Sequence, residues 1–212
     1  YTVSSVGRSF ISNEYIENLV IPGTFKEIDD NAFRACKNLK TVIIEEGVEK
    51  IGKLTFGNNR SLSEVKLPES LYSVGKDAFI RDDKLNLEEK NGIAYIGTVA
   101  MYVSDLSEIE VNMNISEGTT VIADSLFSRD KADNQRSVIL KDENIVIPET
   151  IKGIGEKAFY MQFNIETMEI PDSVIYIGDD AIPSKVKIYG DDGSEAQRYA
   201  VDNGNEFVIL SK

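Results

Sequence analysis

The chain has 212 residues, of which 42% are hydrophobic and 28% charged, so an ordered protein is expected rather than a disordered one. A formal net charge of −13, with the acidic residues spread along the whole length, excludes a nucleic-acid backbone or an anionic membrane surface as natural partner, since both need clustered Lys and Arg. There is no histidine and a single cysteine, Cys36, which rules out intrachain disulfides and zinc sites built from His and Cys; no apolar run reaches the ~18 residues of a membrane-spanning helix.

Taken in chain order, residues 1–14 form a lead-in or partial repeat, and from residue 15 a regular pattern begins. The chain starts at Tyr1 rather than at a methionine, so an upstream N-terminus, removed or left out, is expected. Three columns of side chains recur. Ile21, Ile44, Leu67, Ile115, Ile147 and Ile170 each end a short apolar run, often before proline. Ile28, Ile51, Val74, Ile122, Ile154 and Ile177 follow seven residues later, often before glycine. Phe33, Phe56, Phe79, Phe127 and Phe159, with Ile182 in the last copy, follow after five more. Successive copies are 23, 23, 48, 32 and 23 residues apart, and both excesses fall between the Phe column and the next run. Register kept through two insertions marks a true repeat.

Leu39–Ile44, Leu62–Leu67 and Ile165–Ile170 read L-x-x-L-x-L, which turns the first, fourth and sixth side chains inward on a short strand. Pro22, Pro68, Pro148 and Pro171 remove a backbone donor and end the pairing. Gly52, Gly75, Gly155 and Gly178 are expected to allow a turn closed to other residues. One coil cannot bury its own apolar face, so each is stable only against its neighbours.

The first excess, about residues 85–110, holds Asn91-Gly92, then Ile93–Ile96, Gly97-Thr98 and Val99–Val103, a hairpin with a glycine-first two-residue loop of II′ type. Its apolar faces imply packing along the solenoid; the alternative is that Tyr95, Met101 and Tyr102 expose a partner surface. The second excess, about 131–139, is polar and reads as a surface loop. Residues 190–212 read as a cap: Ser194 with Gln197 forms a capping box, Ala196, Tyr199 and Ala200 make an apolar stripe, Gly204 stops the helix, and Glu206–Leu210 is a strand. Such a cap implies that the array ends there.

Segments such as Ile147–Phe159 and Ile170–Ala181, and the Asn31-Ala-Phe-Arg-Ala-Cys36 end of the first clear copy, resemble the BspA-like leucine-rich repeats of bacterial surface and secreted proteins over about residues 15–210. Thr55-Phe56 and Leu126-Phe127 depart from the pattern by lacking alanine, and Ala181-Ile182 by lacking the aromatic. The resemblance implies an α/β-type solenoid dominated by short β-strands, a right-handed leucine-rich-repeat coil over residues 15–189. It implies an extracellular or cell-surface location and a non-catalytic module that binds a bacterial or host protein through the strand face. A structural spacer presenting another domain at the cell wall is the alternative.

Chemistry is scarce. Cys36 occupies the same repeat position as Asn59, Asp82 and Gln162, so a structural thiol is expected, and a catalytic cysteine would need a base that the chain lacks. The pairs Asp29-Asp30, Asp82-Asp83, Asp179-Asp180 and Asp191-Asp192 read as solvated turn residues, and Gly190–Ser194 is only a partial match to a calcium loop. The sequons at Asn59 and Asn114 are read as coincidence. No cofactor and no metal are expected, and no membrane insertion; the chain is expected to be a monomer. A protein partner would meet the outward strand positions Asn18/Val20, Thr41/Ile43, Glu64/Lys66, Asn112/Asn114, Asn144/Val146, Thr167/Glu169 and Lys185/Lys187.

Overall fold

The computed structural model describes residues 10–80, 82–104, 110–130 and 138–210. The chain forms two compact units, residues 1–88 and 89–212, each a stretch of repeat solenoid. The polar segment expected to loop out at 131–139 lies outside the described residues up to 137. Its last residues are not a loop: Val138 is fully buried, and Ile139–Leu140 is a strand paired with Glu110–Val111.

In the first unit, strands Asn18–Ile21, Thr41–Ile44 and Glu64–Lys66 pair in parallel, with Leu19, Val42 and Val65 in register. A second parallel sheet joins Glu27–Ile28, Lys50–Ile51 and Ser73–Val74. Both sheets advance by the 23-residue step of the sequence. Alternation does the folding: Leu19, Ile21, Val42 and Ile44 are buried while their neighbours face out. The prolines act as expected. The strands stop just before Pro22 and Pro171 or a residue earlier, and the carbonyls of Pro22, Pro68, Pro148 and Pro171 accept from the amide three residues on, opening a turn. Phe33, Phe56 and Phe79 stack at centroid spacings of 5.6 and 5.1 Å, and Phe10 adds a ring 5.3 Å from Phe33. Phe10 stands 23 residues before Phe33, so the lead-in carries the aromatic of a further copy.

The glycines have a different reason from the expected one. Gly52, Gly75, Gly155 and Gly178 do not adopt the left-handed backbone. A Cβ on Gly75 would stand 2.4 Å from the backbone of Gly52, and one on Gly155 2.4 Å from the Asp124 nitrogen. They are clearance positions, where one coil passes directly over the one before it. The left-handed turn falls two residues later in the column and is taken by Asn31, Leu54, Asp77, Ser125, Lys157 and Asp180, with φ between 52° and 60°.

In the second unit, Asn144–Val146, Thr167–Glu169, Lys187–Gly190 and Phe207–Ile209 form a parallel sheet. A larger sheet has six strands, in the order Tyr176–Ile177, Gly153–Ile154, Val121–Ile122, Val99–Val103, Ile93–Ile96, Glu88–Lys90. The hairpin is thus part of the coil: Val99 and Ala100 pair in parallel with Val121 and Ile122, while Ile96 faces Val99 across Gly97-Thr98, with Gly97 at φ 58°. Asn91 and Gly92, both at positive φ, make a second tight turn of the I′ kind that adds Glu88–Lys90 to the sheet. Phe127 and Phe159 stack at 5.5 Å inside a core that runs from Ile93 to Ala200.

The cap folds as its sequence implies. Ser194 accepts from the Gln197 amide, helix Glu195–Asn203 follows, and Gly204 ends it at φ 76° with its amide on the Ala200 carbonyl. Gln197 reaches back one residue further than a capping box requires, to the Gly193 amide at 2.6 Å. Buried Tyr199 covers Ile182, which stands where phenylalanine does in the other copies. Its hydroxyl accepts from the Ile182 amide at 3.0 Å and donates to the Ile182 carbonyl at 3.2 Å. Tyr199→Phe would leave that buried amide without a partner and is expected to lower stability by about 1–2 kcal/mol, measured by urea denaturation; an unchanged midpoint would show that water reaches Ile182.

Candidate interaction surface

The outward strand face is built by repetition within each unit. In residues 1–88, Asn18, Thr41 and Glu64 line one row, and Val20, Ile43 and Lys66 the next. The Thr41 hydroxyl donates to Asn18 Oδ1 at 2.7 Å, and Ile43 is 39% exposed beside half-buried Val20. In residues 89–212 the same pair recurs, with Thr167 donating to Asn144 Oδ1 at 2.7 Å. Val146, 63% exposed, lies level with Glu169. Each unit therefore presents an amide–hydroxyl ladder flanked by an exposed aliphatic side chain, held on strands whose alternate residues are locked in the core.

The register moves some expected residues off this face and adds others. Asn112 and Asn114 are exposed but follow the strand Glu110–Val111 instead of lying on one. The reason is local: the Met113 amide donates to the Asp142 carboxylate at 2.7 Å, and the Asn114 amide to the Asn112 carbonyl, where a ladder would need neighbouring backbone. Lys185 sits in a turn with its ammonium on the Phe163 carbonyl. Lys187 and Tyr189 pair with Thr167 and Glu169, a step of 20 residues, so the last copy is three residues short and shifts the column by two. Tyr189 and, beyond it, Val208 thereby join the face. The inward pair Val186 and Ile188 already carried that signal in the sequence.

The hairpin side chains named as the alternative are largely enclosed. Tyr95 and Met101 are only 3% and 8% exposed, and the Tyr95 hydroxyl accepts from the Ser116 amide at 3.0 Å. Tyr102 is half-buried. Every residue of Ile93–Ile96, and of Val99–Val103 all but Tyr102, is buried, so both faces of the hairpin are covered.

The positions with reactive potential are closed. Cys36 is fully buried, its thiol donates to the Phe10 carbonyl at 3.1 Å, and burial pushes its pKa up. Its amide donates to Asn59 Oδ1 at 2.7 Å, and the Asn59 amide to Asp82 Oδ1 at 2.7 Å, a ladder running through the turns. Gln162 does the same work in the second unit, accepting from Leu140 and donating to Phe127 and Val138. Asn59 has no exposed surface, so its sequon is unreachable in the folded chain. Asp82 corrects the reading of paired aspartates as solvated: it is 7% exposed, and its pKa is pushed up to about 8 by burial, against the pull of the Asn59 amide. Asp29, Asp30, Asp179 and Asp180 are exposed, and Asp30 accepts from the Lys53 amide at 2.7 Å. Among the described residues no three His, Cys, Asp or Glu side chains converge as around a metal ion, and no helix is long and apolar enough to cross a membrane.

Strand, close-packed bend and stacked aromatic, repeated coil by coil, define a leucine-rich-repeat solenoid. The sequence matches the BspA type leucine rich repeat region in six copies, over residues 4–132 and 139–188, and the chain belongs to that family. No curated protein matches it. Among solved structures, it is similar to a leucine rich repeat protein of T. pallidum at 17% identity, covering 93% of this chain and 87% of that one with a TM-score of 0.36. A leucine rich cell surface protein of Faecalibacterium prausnitzii is 14% identical, with 97% and 82% covered and a TM-score of 0.35. The pneumococcal vaccine antigen PcpA is 12% identical, with 92% and 80% covered and a TM-score of 0.25. These distant likenesses add nothing to the family match.

Proposed function

We propose that the chain is a non-catalytic protein-binding module, carried on or released from a bacterial cell, that engages its partner as a monomer through the outward strand face. The observation that carries this reading is the ladder repeated in both units, Asn18–Thr41 and Asn144–Thr167, each beside an exposed aliphatic residue on rigid strands. Mixed polar and apolar groups fixed by a core are what a protein surface needs for complementary contact without ordering cost. The family supports a location outside the cell. Absence of catalysis is supported by the lack of any histidine in the chain and by the enclosure of Cys36 and Asp82.

The test is a chain with Thr41→Arg and Asn144→Arg. Both sites are on the surface, so the melting transition should hold within a few degrees while capture of a host or bacterial protein on the immobilised chain falls by roughly tenfold or more. Capture unchanged by both substitutions would remove the strand face as the site.

A further inference from the structure

A second surface lies away from the strand face, on the turns that follow the stacked rings of Phe10, Phe33 and Phe56. Ile11, Ser12, Arg34, Ala35, Lys37, Asn58 and Arg60 line an open groove of about 550 Å³. Three of those residues are cations, in a chain whose net charge is −13. Among the described residues the carboxylate paired with them is Glu14, 3.2 Å from Lys37 Nζ. Among the described residues Arg34 is held by the amide oxygen of Asn31, at 3.3 Å in its own turn. Ile11, 47% exposed, and Ala35 give the lining an apolar part. The backbone amides of Ser12, Ala35 and Asn58 all donate to the next coil, which leaves recognition to the side chains.

We propose that this groove binds an acidic polypeptide segment with interspersed apolar residues, independently of the strand face. Guanidinium groups on adjacent coils grip carboxylates bidentately, and successive coils, about 4.8 Å apart, match the rise of an extended chain only loosely, which favours a few anchored carboxylates over a continuous run. A sulfated or phosphorylated polymer fits less well: its dense charge meets three cations, one already paired, within the repulsive field of an acidic protein. Ile11 gives an apolar side chain somewhere to sit, which a polyanion would not use.

The experiment titrates the full chain into a fluorescein-labelled peptide of alternating glutamate and leucine and reads anisotropy at low salt. Binding is expected, weakened about tenfold or more by Arg34→Glu with Arg60→Glu and by added salt, and absent for a lysine–leucine peptide. Should the reversal pair unfold, as judged by circular dichroism, Arg34→Gln with Arg60→Gln reads the same loss at smaller size. Thr41→Arg with Asn144→Arg leaves this titration unchanged, so its outcome and that of the strand-face test are separable. Equal binding by the native chain and the folded arginine variants overturns the proposal. So does heparin that binds the groove while the acidic peptide does not.

Discussion

Asp82→Asn is expected to stabilise the protein at pH 8.5 by about 2 kcal/mol and to do little at pH 5. The reason is the neighbouring rung of the ladder. Asn59 accepts one amide with Oδ1 and donates through Nδ2 to the Phe56 carbonyl at 2.6 Å. Asp82 accepts the Asn59 amide with Oδ1, but its buried Oδ2 has no partner among the described residues. A proton on Oδ2 would let it imitate the amide, and the carboxyl holds that proton up to about pH 8. The folded pKa is raised above the unfolded one, so between about pH 4 and pH 8 the folded chain binds more protons than the unfolded chain. Its contribution is complete below the unfolded value and lost as pH climbs through the folded one. Nearby Asp83 pushes in the same direction. Urea midpoints of the native chain and the variant at both pH values decide the matter; a difference independent of pH would mean that Asp82 is ionised throughout.

The second large effect concerns clearance between coils. Gly155→Ala is expected to cost about 3 kcal/mol or more, because overpacking against backbone has no flexible group to yield. The new Cβ would stand 2.4 Å from the Asp124 nitrogen and 2.6 Å from the Ala123 carbon. Relief means lifting one coil from the next, which strains the 2.8 Å bond from the Gly155 amide to the Ile122 carbonyl and parts the Phe127–Phe159 stack. Gly97→Ala is the contrast in the same unit. Gly97 has a left-handed backbone with nothing within 4 Å, so alanine there is expected to cost only about 1–2 kcal/mol. Thermal melting of the two variants ranks them, and a milder Gly155→Ala than Gly97→Ala would refute the clearance argument.

Much of this architecture could be read from the chain because the core columns impose strict spacing: Ile21, Ile28 and Phe33 recur as a unit, and burial leaves them little freedom. Two kinds of feature escaped. The first depends on what lies across a coil-to-coil contact. Glycine before a bend signals left-handed backbone as readily as close approach, and only the stacking of Gly75 on Gly52 distinguishes them. The burial of Asp82 is similar, since an aspartate pair in a turn looks solvated until the ladder is in place. The second kind is a change of period. The short last step, which puts Tyr189 on the face in place of Lys185, and the pairing of Ile139–Leu140 with Glu110–Val111 both break the 23-residue rule used to find the surface. The outward strand face was therefore legible where the period holds, at Asn18 to Lys66 and Asn144 to Glu169, and obscured at Asn112 and Asn114.

The meander at residues 88–103 has a consequence for solubility. A stack of short parallel strands offers raw hydrogen-bonding edges to any other chain that meets it, the usual route to fibrous association. The six-stranded sheet ends on Glu88–Lys90, and Glu88, Glu89 and Lys90 are all exposed. A foreign strand docking there would have to lie along three consecutive charges, so the sheet finishes on a rim that discourages recruitment.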